Sequence, residues 1–524
     1  MDRRHFLKTI PALTIPAFLN GFDLNAFAPD PVWGDAVNTT DTDHVLVLIQ
    51  LNGGNDGLNT LIPLDQYSNL SAARSNILIP DTQVLTLNGV ANTGLHPAMT
   101  GMRDLYNDGK MAIIQSVGYP NPDFSHFRAT DIWLTAADSN QILDSGWAAR
   151  YLNSEYPNYP VGYPNSTMPD PLAIQISSSL SPVFVFNSSM GMSITDPNSF
   201  YNMVNGVQDP APNTFAGKEL SFIRGAMQQT QTYFGVINAA AANVPTQNPY
   251  PTGNNLADKL KIIAKLIAGG LKTRIYMVDI GGFDTHDDQT DATDTTIGEH
   301  ADLLKTLSDA VAAFVADCAF LGIADRVIGM TFSEFGRRIV SNDSIGTDHG
   351  AAAPMFIFGT KVQSGVLGTN PTISATVSPS DNIPMQYDFR SVYASVLQDW
   401  FCVPSNEVSN ILLQNFQTLP LLQATCSTSS IHELNQQAGR QLLSNRPNPF
   451  TNSTYIDFET FGGYTLVQVF DYQGKMIATL AEGQYQKGKY ELWWNAEGLA
   501  AGNYFIRLQN EGVQQIRPIV KVEE

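Results

Sequence analysis

The stretch His44-Val45-Leu46-Val47-Leu48-Ile49-Gln50-Leu51 runs directly into Asn52-Gly53-Gly54-Asn55-Asp56-Gly57. A continuous apolar run of this length belongs to a strand buried on both faces of a sheet, whereas an alternating run marks a strand with one wet face. Further strand signals lie at Met111–Val117, Leu172–Ile176, Arg274–Ile280, Arg326–Phe332 and Met355–Phe358, most of them continuous in the same way. Helical periodicity fills the intervals at Ala98–Asn107, Phe127–Ala136, Leu256–Ala268 and Glu299–Leu321. Strand alternating with helix predicts an α/β fold with a mostly parallel sheet flanked by helices.

In open α/β sheets, sites form beyond the carboxyl ends of the strands, and four polar clusters fall there. After the first strand, Gly53-Gly54 permits a tight turn. Asp56 is then either an oxygen ligand for a divalent metal or a plain cap of the next segment. After the second, Gly118–Phe124 leads to Ser125-His126-Phe127-Arg128 at a helix start. Ser125 is either the N-cap or a nucleophile whose attacked group rests on the helix amides; His126 is a base, a ligand or a structural imidazole. After Arg274–Ile280 comes Gly281-Gly282-Phe283-Asp284-Thr285-His286-Asp287-Asp288. Asp284 and His286 suit a metal such as Zn²⁺ or Mn²⁺, with a solvated acidic turn as the plain alternative. After Arg326–Phe332, Ser333-Glu334-Phe335-Gly336-Arg337-Arg338 offers Glu334 as a ligand. Arg337 is either a bidentate holder of an anionic ester or the ion-pair partner of a nearby acid. Gly346-Thr347-Asp348-His349-Gly350 adds His349. The strand–helix–strand unit from Arg274 to Phe332 should set its two strand ends on one sheet edge.

The length of 524 residues exceeds the usual reach of one hydrophobic core, so two domains are expected. A hydrophobic content of 43% excludes global disorder. Acids outnumber bases 49 to 29, a balance opposite to that of a phosphate-backbone binder, so nucleic acid is not a partner. The excess sits in residues 29–439, with 38 acids and 18 bases, while the C-terminal 85 residues are close to neutral. Arg3-Arg4-His5-Phe6-Leu7-Lys8, the weakly apolar run Thr9–Phe22 and Ala26-Phe27-Ala28 read as a signal peptide, residues 1–28. That run is too short for a bilayer span, which needs about 20 residues, and no other stretch is a transmembrane segment. Residues 29–44 form a polar leader, 45–424 the main domain and 425–439 a polar joint. Of three cysteines, Cys318 falls on an apolar helical face and is a core residue, whereas Cys402 and Cys426 are able to pair. From residue 440, short alternating strands separated by turn residues predict a small antiparallel β-sandwich.

Three resemblances follow from these motifs. The paired arginines before Phe6-Leu7-Lys8 resemble a twin-arginine export signal, which implies the twin-arginine translocase as a partner. Arg446-Pro447-Asn448-Pro449-Phe450, Asp471-Tyr472-Gln473-Gly474-Lys475 and Gly502-Asn503-Tyr504-Phe505 resemble the type A sorting domain of the type IX secretion system of Bacteroidetes-type bacteria. That implies type IX machinery acting on residues 440–524 and passage through the periplasm to the cell surface or beyond. The body motifs quoted above, in their order, resemble a domain-of-unknown-function family of twin-arginine-exported bacterial proteins. That family is distantly similar to the alkaline phosphatase and sulfatase superfamily.

The resemblance implies an exported, metal-dependent hydrolase of phosphate or sulfate esters. One or two divalent ions (Zn, Mn, Ca or Mg) would sit among Asp56, Asp284, His286, Glu334 and His349. Ser125 would be the nucleophile, with His126 and Arg337 beside it. Two departures, the close Asp284/His286 spacing and the single carboxylate Glu334 where the superfamily has an Asp-His pair, leave room for one ion or none. The other reading is a non-catalytic surface protein whose pocket binds a glycan or a co-exported protein. Convergence of the five ligand residues favours the enzyme; scatter favours the binder.

Overall fold

The computed structural model describes residues 42–195, 233–423, 426, 443–460, 462–471, 475–510 and 513–522. The signal, most of the polar leader, nearly all of the joint and the loop expected at Gln208–Asn213 lie outside the described residues. The described chain divides into two compact units, one ending at Gln423 and one from Cys426 onward.

The first unit is built on a nine-stranded sheet. Its main strands are β1 (Val45–Leu51), β2 (Met111–Gly118), β3 (Ala173–Ile176), β4 (Met192–Ile194), β5 (Ile275–Ile280), β6 (Val327–Phe332), β7 (Ala353–Phe358) and β8 (Gly365–Leu367), in the order β8-β2-β7-β6-β1-β5-β3-β4. The two-residue strand Tyr387–Asp388 pairs with β2. β1 lies parallel to both β5 and β6, and β3 is parallel to β4 and β5. β7 runs antiparallel to β6 and to β2, so β2 points the same way as β6. The carboxyl ends of β1, β2, β5 and β6 therefore share one edge, and β7 starts from that edge. The reversal of β7 has a local cause. After β6 the chain makes a hairpin, Arg337–Ser341 against Thr347–His349, and returns directly, without the crossover helix that a parallel neighbour needs.

Every residue of β1 is buried. Val45, Val47 and Ile49 face one core, shared with Met102 and Leu105 of α1 (Thr100–Asn107), Leu260 and Ile263 of α3 (Asn255–Ala268), and Leu304, Leu307, Val311 and Phe314 of α4 (Glu299–Phe320). Leu46 and Leu48 face the other, shared with Ile132 and Trp133 of α2 (His126–Thr135) and with Trp147, Tyr393 and Trp400. Burial on both sides is why the sequence runs apolar without alternation. Cys318 is buried in the first core with a free thiol, as its helical position predicts. No helix among the described residues is long and apolar enough to cross a membrane.

The second unit is two antiparallel sheets. Strands β9 (Leu443–Arg446), β10 (Ser453–Thr460) and β13 (Gly488–Asn495) form one; β11 (Gly463–Asp471), β12 (Met476–Tyr485), β14 (Gly502–Asn510) and β15 (Val513–Lys521) form the other, in the order β12-β11-β14-β15. Their core includes Ile456, Phe458, Val467, Val469, Trp494, Ile506, Leu508 and Ile519.

Candidate metal centre

The loops leaving β1, β5 and β6 are stitched to one another. The Asn52 amide donates to Ile280 O (2.9 Å) and the Phe283 amide to Asn52 O (3.1 Å). Gly53 and Gly54 have φ of +125° and +87°. A Cβ on Gly53 would stand 2.2 Å from the Asp284 nitrogen, and one on Gly54 2.4 Å from the Phe335 ring. Only glycine allows both the turn and the approach.

Beneath this junction sits Arg337, 0% exposed. Its Nε donates to Gly54 O (2.7 Å), its Nη1 to Thr347 O (2.8 Å), and its Nη2 to Phe283 O (2.9 Å), to Gly53 O and to Asp284 Oδ1 (2.7 Å). Arg337 thus cannot reach an anionic ester. Its fork is taken up by backbone carbonyls and one carboxylate, and it positions the site from within.

Asp284 is the focus of the exposed side. Three imidazoles aim Nε2 at its carboxylate: His349 at 3.2 Å and His286 at 3.3 Å from Oδ1, and His126 at 3.4 Å from Oδ2. The other ring nitrogen of each is held from behind. His126 Nδ1 meets Glu334 Oε1 at 2.9 Å, His286 Nδ1 meets Asp348 Oδ1 at 3.3 Å, and His349 Nδ1 meets the Phe124 carbonyl at 2.7 Å. A carboxylate and a carbonyl accept, so each Nδ1 is placed to donate; each Nε2 then either donates to Asp284 as an imidazolium or, in the neutral ring, turns a lone pair toward it. Ligand atoms of His126, Asp284 and His349 all lie within 4.8 Å of one another. Burial pushes the Asp284 carboxyl upward, but hydrogen bonds from Arg337 and His349 and the charge of Arg337 hold it down at about 2. Burial lowers the His349 pKa against the opposing pull of Phe124 O and Asp284.

The expected residues divide accordingly. His126, Asp284, His286 and His349 come together. Glu334 stands behind His126: it is buried, accepts from the Gly53 amide (2.8 Å) and pairs with Ser333 Oγ (3.2 Å). Asp56 stands apart. It is 1% exposed, bridged by Arg74 Nη1 (2.8 and 3.0 Å) and Gln289 Nε2 (2.7 Å), and caps the Leu58 amide (3.2 Å). With both oxygens filled by a buried guanidinium and an amide, it acts as the cap that sequence left as the alternative. Ser125 is exposed at the N-cap position of α2, yet its hydroxyl makes no cap bond; its own amide donates to Asp123 Oδ1 (2.8 Å). Sequence reasoning passed over Asp348, though it neighbours His349, and over Arg74, Gln289 and the Phe124 carbonyl, for which a linear pattern carries no signal.

Residues 200–412 match the family described as protein of unknown function (DUF1501), and residues 446–522 match the secretion system C-terminal sorting domain. The chain thus carries a DUF1501 match over part of its first unit and a secretion sorting-domain match over its second. The first match contains Asp284, His286, Glu334, Arg337 and His349; Ser125 and His126 precede it. The sorting domain implies delivery to the cell surface or outside through the type IX machinery. No curated protein matches the chain. Among solved structures it is distantly similar to a sulfatase from a Pseudoalteromonas species, with 9% identity, 89% of this chain and 88% of that one covered, and a TM-score of 0.34. A protein of the alkaline phosphatase superfamily from Vibrio parahaemolyticus gives 8%, 83%, 81% and 0.31. PorZ, a surface component of the type IX secretion system of Porphyromonas gingivalis, gives 17% identity and a TM-score of 0.14, with 20% of this chain and only 14% of PorZ covered.

Two predictions follow from the buried groups around the centre. Replacing Arg74 with Met leaves Asp56 charged and unpaired, so urea unfolding of Arg74→Met should show a loss of about 3–5 kcal/mol. An unchanged midpoint would remove the Asp56–Arg74 pair as a structural element. His96 and His300 are buried, with pKa values lowered by that burial to about 3 and about 4. Both stay neutral in the folded protein and protonate near pH 6.5 when unfolded. Their stabilising contribution is complete above pH 6.5 and is lost as pH falls toward 4 and then 3. Unfolding free energy measured across that range should drop, with a shallower slope in His300→Asn.

Proposed function

We propose that Asp284, His126 and His349, with His286 beside them, hold a single divalent transition metal, and that the site hydrolyses phosphate or sulfate esters with Ser125 as nucleophile. The observation that carries this reading is the orientation of the imidazoles. Three Nε2 atoms converge on one carboxylate at 3.2–3.4 Å, and with those nitrogens unprotonated their lone pairs and the carboxylate oxygens enclose a place that a cation would fill. Outer partners that fix the tautomer of each imidazole are the usual setting of metal-bound histidine. The donor set, imidazole with one carboxylate, suits Zn or Mn; Ca and Mg prefer all-oxygen ligands. One cluster among the described residues fits one ion better than two.

A bound ion would supply Lewis acidity toward the ester oxygens. The chain's own part starts at Ser125. Its uncommitted hydroxyl sits at the start of the ten-residue α2, whose first amides Ser125 does not cap. An anionic ester resting on those amides meets the positive end of the helix dipole. Attack by Ser125 Oγ forms the bond to phosphorus or sulfur, the ester C–O oxygen leaves as an alcohol, and water then releases the acid and restores the serine. Arg337 keeps Asp284 ionised and in place, and Glu334 keeps His126 turned inward. Upstream, residues 1–28 as a twin-arginine signal would carry the folded, loaded protein to the periplasm before residues 440–524 direct it outward.

Metal analysis of the purified protein is expected to give close to one ion per chain, lost in Asp284→Asn. Ser125→Ala should keep the ion and lose turnover of aryl phosphate or sulfate by about 10³-fold or more. Glu334→Gln and Asp348→Asn should weaken metal binding by about 10–100-fold. A metal-free protein without ester turnover would leave the surface-binding reading instead.

A further inference from the structure

One residue at this centre is explained by neither the fold nor the proposed chemistry. Phe127 follows His126 directly and is 92% exposed. α2 buries Ala129, Ile132 and Trp133, and the positions three and four beyond Phe127, Thr130 and Asp131, lie on a partly wet polar face. Helical pattern therefore calls for a polar residue at 127, and the ring packs into neither core. A fully exposed phenylalanine is unfavourable in water, and Phe127 offers no polar atom for hydrogen bonding. The neighbouring loop carries a second such side chain. Arg128 donates to the carbonyls of Asp138 and Ser139 (3.1 Å each) and of Gln141, fastening that turn to the start of α2. The next residue, Ile142, is 80% exposed.

On the hydrolase reading, an ester bound at Ser125 rests at the first turn of α2, where Phe127 stands two residues beyond the serine and is exposed. We infer that Phe127 is a specificity-determining residue that stacks on a flat, apolar ring face of the ester's alcohol portion, either an aryl ring or the C–H face of a sugar ring. The inference rests on the hydrolase reading for its placement of the ester, and it goes further by naming the substrate's organic part. Stacked rings gain from contact area and geometry together, whereas a methyl ester has nothing to stack.

The test compares the metal-loaded, full-length protein with Phe127→Ala and with Phe320→Ala, a control that removes another exposed phenylalanine from the far end of α4. Substrates are the phenyl, glucose-6-yl and methyl esters of phosphate and sulfate. Phe127→Ala is expected to raise KM for a ring-bearing ester over that for the methyl ester by about two- to tenfold, with the split in KM more than in kcat; Phe320→Ala changes neither ratio. Whether the phenyl or the glucosyl arm moves identifies the ring. Equal effects on all three esters, or none, would overturn the assignment while leaving the hydrolase reading intact. Binding of phenylphosphonate against methylphosphonate, followed by calorimetry, separates the two ideas. If no ester is turned over but phenylphosphonate still binds more tightly in a Phe127-dependent way, the stacking role stands and the hydrolase fails. If neither phosphonate binds, the stacking role fails too.

Discussion

A guanidinium with no exposed surface gathers three loops at the carboxyl edge of the sheet. Arg337 donates to carbonyls from the glycine turn after β1 and the loop after β5, to the carbonyl of Thr347 in its own hairpin, and to the carboxylate of Asp284. Taking a cation out of water is costly, and removing one partner of a buried ion pair is more destabilising than the pair is stabilising. The loops are accordingly constrained to supply those acceptors together. Gly53 and Gly54 permit it sterically. Asp284 reaches the surface side of the same fork, and the three imidazoles orient around it.

Two aspartates follow buried strands, and each meets a buried arginine, yet they end in different chemical states. Asp56 faces Arg74 and Gln289 with both oxygens occupied and is sealed from solvent. Asp284 gives one oxygen to Arg337 and keeps its side chain 49% exposed. A carboxylate saturated by a guanidinium and an amide has no lone pair left for an ion, whereas one tethered by a single oxygen is fixed in place and still able to bind. The difference lies in which partners arrive from elsewhere in the chain: Arg74 comes from the end of the helix Tyr67–Arg74, which packs on the hairpin strand Arg337–Ser341, and Arg337 from the start of that strand.

That division also explains what was legible in the sequence. The strands were readable because burial on both faces leaves a continuous apolar run, and α4 was readable because Leu304, Leu307, Val311 and Phe314 repeat at helical spacing. The convergence of the polar clusters followed from the shared direction of β1, β2, β5 and β6. Roles within the clusters did not follow. Whether an arginine points outward to a ligand or inward to carbonyls depends on side-chain direction and on contacts spanning more than 280 positions, such as Arg337 to Gly53. Nothing local to Ser333-Glu334-Phe335-Gly336-Arg337 encodes that choice. The same holds for the outer partners of the imidazoles. Asp348 was adjacent to a recognised histidine, but the carbonyl of Phe124 is available in any sequence.

The inward turn of Arg337 changes the electrostatic problem posed by an acidic body. Residues 29–439 carry 38 acids against 18 bases, a field that repels an anionic ester. An outward arginine would have countered it locally; a buried one neutralises Asp284 instead. On the proposed hydrolase reading, attraction would come from the start of α2 and from an ion held by the imidazoles. Three neutral imidazoles and one carboxylate would leave a divalent ion with a net positive charge, whereas a site built from Asp56, Asp284 and Glu334 together would have cancelled it. Keeping Asp56 and Glu334 out of the inner ring is thus consistent with an anionic substrate, because each carboxylate removed from contact with the ion leaves more of its charge for the ester.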